Sequence, residues 1–69
     1  MNTLMQMIEA CARSNSRIIA IEYARNAGHI TSEHAVDEIV KETADTKKEL
    51  QTIKKQFVND RKMEAMNYE

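Results

Sequence analysis

The chain has 69 residues with no proline, one glycine, one cysteine and three aromatic side chains, and its ten basic and eleven acidic residues leave a net charge of −1. A polypeptide this short forms at most one domain and buries only about 60 % of its unfolded surface, so it needs a disulfide, a metal or self-association to reinforce it. One cysteine excludes an internal disulfide, near-neutral charge argues against a polyelectrolyte partner such as nucleic acid or anionic membrane, and no apolar run approaches the roughly 18 residues that span a bilayer.

The first residues carry no basic segment followed by an apolar one, and a lone thiol suits a reducing compartment, so a cytoplasmic location is expected. Few breakers and no alternation of apolar with polar residues point to an all-α chain. The expected architecture is an oligomeric helical hairpin in which a short or broken N-terminal helical arm precedes a long coiled-coil-like C-terminal helix. All of it belongs to one domain, residues 1–69.

In chain order, the first element is a helix over about residues 2–13. Leu4, Ile8 and Cys11 share a stripe on it, with Met5 and Ala12 beside them and Met1 and Met7 widening it. Methionines fill irregular gaps and suit surfaces that adapt to a partner. The stripe therefore reads either as ordinary core against the long helix or as a binding surface.

Ser14, Asn15 and Ser16 follow, and all three prefer caps to helix interiors. They favour a break here, with a second helix over 16–27; the alternative is one continuous helix with a polar patch. On that helix Ile18, Ile19, Ile21, Tyr23 and Ala24 spread over more than one face, the pattern of a helix buried on more than one side. Leu4, Met5, Ile8, Ile18, Ile21 and Tyr23 form the candidate partner-binding surface.

The segment Ala27-Gly28-His29-Ile30-Thr31-Ser32-Glu33 predicts a helix stop followed at once by a helix start. Gly28 suits the left-handed residue that closes a helix, and Ile30 can supply the apolar contact that accompanies closure. Thr31 or Ser32 can cap the next helix, whose positive end Glu33, Asp37 and Glu38 favour. So short a connection makes the flanking helices neighbours, expected to be antiparallel.

No breaker interrupts residues 32–66. With Val36 as heptad position a, the a positions are Val36, Thr43, Leu50 and Phe57, and the d positions are Ile39, Thr46, Ile53 and Asp60. Together with Val40 at e, the residues Val36, Ile39, Val40, Thr43, Leu50, Ile53 and Phe57 make the candidate self-association seam. The C-terminal third of this seam, around Leu50, Ile53 and Phe57, outruns a first helix of about 12 residues and is the part most in need of another chain. Acidic g positions Glu42 and Glu49 facing basic e positions Lys47 and Lys54 would suit a parallel mate. Residues 33–46 carry five acids against Lys41 and residues 47–62 six bases against Glu49 and Asp60, a polarity that suits an antiparallel mate instead. The direction stays open.

Four kinds of chemistry are weighed. Ala24, Gly28, Ile30 and Thr31 resemble the turn of a helix-turn-helix, but His34 and Asp37 stand where the second helix should turn inward, and its start is acidic where phosphates need lysine or arginine. Lys41, Lys48, Lys55 and Lys62 fall in a row opposite the seam, and Lys47, Lys48, Lys54, Lys55, Arg61 and Lys62 could follow a phosphate backbone; without interleaved aromatics they read as a solvated face. His34 and Glu38 could offer two metal ligands, one or two short of a zinc site. Cys11 has no histidine near it in sequence to activate it. No catalytic, metal or cofactor-binding residue is assigned, no cofactor is expected, and the protein is not expected to be an enzyme.

What is left is action by surface, helix against helix or helix in groove. In size and layout the chain resembles the small helical regulators of temperate bacteriophages, antirepressors in particular. That resemblance implies a homo-oligomer, dimeric or tetrameric, that binds another protein such as a transcriptional repressor and blocks its activity. It implies no functional residue. A nucleic-acid-binding accessory protein and a structural assembly factor are the alternatives, and no membrane partner is expected.

Overall fold

The computed structural model describes residues 2–67, and their side chains as far as Lys62. Two helices, α1 (Thr3–Asn26) and α2 (Ser32–Asn67), are joined by residues 27–31 and pack against each other as an antiparallel hairpin. Among the described residues there is no strand. The chain is all-α.

Local chemistry fixes both ends of the connection. Asn2 caps α1 with its side-chain oxygen, which accepts from the Leu4 N–H at 2.9 Å and the Met5 N–H at 3.4 Å. At the other end Gly28 takes φ +80°, a conformation that strains any residue bearing a Cβ. It lets the His29 N–H reach the Ala24 carbonyl at 2.9 Å and the Gly28 N–H the Arg25 carbonyl at 3.0 Å, the paired bonds of a Schellman closure. Thr31, of the two candidates, caps α2: its hydroxyl oxygen accepts from the His34 N–H at 3.0 Å.

The predicted break at residues 14–16 does not occur. α1 runs through Ser14, Asn15 and Ser16 as one helix of 24 residues. The cap preference of these residues is overridden by tertiary packing, because Ser14 is a small residue buried in the helix–helix contact. The consequence is length. Twenty-four residues rise about 36 Å, enough to lie along α2 from Ala35 to the region of Phe57.

The contact line on α1 follows Thr3, Met7, Ala10, Ser14, Ile18 and Ile21, all buried or half-buried, while Leu4, Ile8 and Cys11 are exposed. The stripe that could have been core is therefore not the core. On α2 the covered line is Ala35, Ile39, Glu42, Thr46, Glu49 and Ile53, in alternating steps of four and three. That line is turned one position from the heptad read in the sequence, from a and d to g and d. Two ion pairs accompany this rotation. Arg13 pairs with Glu49, and Arg17 Nε donates to Glu42 Oε1 at 2.6 Å, with the acidic g row facing α1. Thr46 sits half-buried on this line because its hydroxyl donates to the Glu42 carbonyl at 3.0 Å.

The interior that results is small. Ala10 and Ala35 are the buried apolar residues, and no large side chain is fully enclosed among the described residues.

Candidate functional site

One step along an α-helix turns 100°. In an antiparallel pair the two helices run in opposite senses, so a step of one residue past each contact line turns both helices toward the same side. On α1 that step leads to Leu4, Ile8, Cys11 and Asn15; on α2 it leads to Val36, Val40, Thr43, Lys47 and Leu50. One broad face of the hairpin therefore carries Leu4 and Ile8 of α1 and Val36 and Val40 of α2, with Glu22, Lys47 and Lys54 among them.

The exposures agree. Leu4 is 68 % exposed, Ile8 59 %, Val36 59 % and Val40 64 %. A shallow groove lies mid-way along this face between the helices, with Cys11, Asn15 and Ile18 on one wall and Thr43, Lys47 and Leu50 on the other. At its open end Leu4 and Met7 lie beside Phe57, over whose ring the Arg61 guanidinium sits at 5.6 Å. Thr43 avoids an unpaired hydroxyl on this face by donating to the Ile39 carbonyl at 2.9 Å.

The opposite face is charged. Arg13–Glu49 and Arg17–Glu42 bridge the helices there, and Glu38, Lys41 and Asp45 line a second shallow groove with Arg17. The hairpin is thus two-faced, with ion pairs on one side and unsatisfied apolar surface on the other.

The residues read in the sequence as two surfaces are redistributed by this geometry. Leu4, Ile8 and Ile18, from the candidate partner-binding surface, share one face with Val36, Val40, Thr43 and Leu50 of the candidate seam. Ile39 and Ile53 turn toward α1 and are half-buried, as is Ile21 on α1. Met5 and Tyr23 point away from both, on the outer side of α1, where Tyr23 is 71 % exposed. The end of the seam is also not its barest part. Because α1 is unbroken, Leu50 and Ile53 are half-buried, and the bare valines Val36 and Val40 lie near the turn.

Asn15, at the centre of the apolar face, was legible only as a helix breaker. The signal that would have placed it is the turn itself. A hairpin centred on residues 29–30 sets Asn15 across from residues near 45, midway along the shared length.

The chemistry-bearing residues stay apart. His34 Nε2 lies 3.7 Å from a Glu38 oxygen one helical turn on, and among the described residues no three His, Cys, Asp or Glu side chains converge. Cys11 is a free, exposed thiol. α1 and α2 lie alongside each other rather than crossing at the 90–120° of a helix-turn-helix, so the motif suggested by Ala24, Gly28, Ile30 and Thr31 is not formed. No described helix is long and apolar enough to cross a membrane. Comparison with protein-family models, curated proteins and solved structures gave no match.

Proposed function

We propose that this chain is a non-enzymatic regulatory module that self-associates and binds another protein, such as a DNA-binding repressor, through its helical surfaces, blocking that protein's activity. One observation carries the reading: the hairpin fully buries only small side chains among the described residues and leaves Leu4, Ile8, Tyr23, Val36 and Val40 more than half exposed. Large apolar side chains left this bare on a small protein mark interaction sites. The likeness in plan to the small helical regulators of temperate phages points the same way. The setting would be the cytoplasm, where Cys11 remains a thiol.

Within this reading the broad apolar face serves self-association, and the outer side of α1, with Met5, Ile19 and Tyr23, serves the partner. Ile19 and Tyr23, four residues apart, have the spacing of anchors on a helix that enters a groove. The test is capture of the partner by the tagged 69-residue protein compared with a Met5→Asp/Tyr23→Asp double variant, each read by mass spectrometry. A protein retained by the parent and lost from an equally helical variant supports the reading. Equal recovery by both, or none by either, contradicts it.

A further inference from the structure

The hairpin is a single layer, with principal extents of 61 × 17 × 9 Å. Stable domains are built from at least two packed layers around a shared core. A second layer must lie on the apolar face, and three observations favour another copy of this chain as that layer.

The first is area. Along the roughly 36 Å where α1 lies on α2 the face is 17 Å wide, a footprint on the order of 600 Å², the same order as the roughly 800 Å² per partner of a standard stable interface. The second is charge along the long axis. The turn half, residues 15–45, holds six acidic and three basic side chains, whereas residues 2–14 and 46–62 at the open end hold seven basic and three acidic ones. Two hairpins laid head to tail join opposite charges at both ends; laid head to head, they stack like on like. The third is Asn15. It is the polar interruption of the α1 stripe between Leu4 and Ile18, and it lines the groove midway along the face. Thr43 and Lys47 line the same groove from α2, and Asn15 is the polar side chain that α1 brings to it; such a residue fixes register when it meets its own counterpart.

We infer that two copies pair through this face about a two-fold axis perpendicular to the helices, with α1 against α1 and α2 against α2, both antiparallel, and Asn15 meeting Asn15 at the axis. The arrangement is isologous, so each copy offers the same surface. It brings Val40 toward Leu50 of the opposite copy. The alternative two-fold, running along the hairpin, sets α1 against α2 and keeps the two Asn15 side chains apart. The inference rests on the self-association proposed above, but not on the choice of regulated partner.

Disulfide trapping in a Cys11→Ala background tests it, with sedimentation equilibrium of the parent protein alongside. Bridging requires Cα atoms within about 7 Å. Asn15→Cys should therefore give a disulfide-linked dimer under mild oxidation. Leu4→Cys should not, because its counterpart lies about 30 Å away along the helices. The parent should sediment as a dimer. Both substituted positions are exposed, so circular dichroism should show unchanged helicity. A dimer that Leu4→Cys traps, or that Asn15→Cys fails to trap, overturns the antiparallel register. A monomer at every concentration, including one whose apolar face is covered by a different protein, overturns self-pairing itself; partner capture dependent on Met5 and Tyr23 would survive that result.

Discussion

Arg17 reaches across the hairpin to donate to Glu42 at 2.6 Å, and the Glu42 side chain keeps only 15 % of its surface exposed. With Arg13 and Glu49, this contact matches the register of α1 on α2 and faces the acidic g row of α2 toward α1. Arg17 itself is about half exposed, so the energy is modest. A double-mutant cycle of Arg17→Ala and Glu42→Ala, followed by chemical denaturation, should give a coupling of about 0.5–1 kcal/mol. The charge-swapped pair, Arg17→Glu with Glu42→Arg, should recover most of the loss of either reversal alone.

The turn depends on backbone conformation rather than on space. A Cβ at Gly28 would meet nothing within 4 Å, yet φ there is +80°. Gly28→Ala should lower stability by roughly 1–2 kcal/mol, the cost of the left-handed region for an L-residue. Equal denaturation midpoints for the two proteins would contradict the closure described.

The helix contact depends on small residues. Ala10 is completely buried, whereas Ala12 two residues on is exposed. Ala10→Leu should destabilise by about 1–3 kcal/mol through overpacking. Ala12→Leu should stay within about 0.5 kcal/mol of the parent. Thermal melts of the two variants at one protein concentration check the contrast.

These features differ in how far the sequence announces them. The turn was legible because its determinants are local: Gly28 and Thr31 do in the structure what their residue types favour anywhere. Continuity through Ser14–Ser16 was not, since what holds that stretch helical is α2, more than 25 residues away in the chain. The rotation of α2 was hidden for a related reason. Glu42 and Glu49 look like solvent-facing positions until Arg13 and Arg17 are placed opposite them, and only the hairpin does that. The same rotation leaves Val36 and Val40 on the open face while Ile39 and Ile53 of the same seam turn toward α1. It also brought Leu4, Ile8 and Ile18 onto one side of the molecule with Val36, Val40, Thr43 and Leu50, and left Met5 and Tyr23 on another.

The basic residues of α2 give a further discriminating case. Lys47, Lys48, Lys54, Lys55, Arg61 and Lys62 are all exposed, but they are spread around the helix, with Lys47 and Lys54 on the apolar face and Lys48 and Lys55 turned away from it. No mobility shift with duplex DNA is expected even at low salt. A shift that weakens steeply as salt rises would favour the nucleic-acid alternative instead.

The account turns on whether this thin hairpin needs a covering layer. The most direct measurement is the melting temperature of the unmodified protein followed by circular dichroism over serial dilution, since association makes the midpoint depend on concentration. The midpoint should fall steadily as the protein is diluted. A sharp transition at one temperature throughout, from a species of 8.0 kDa, would contradict it.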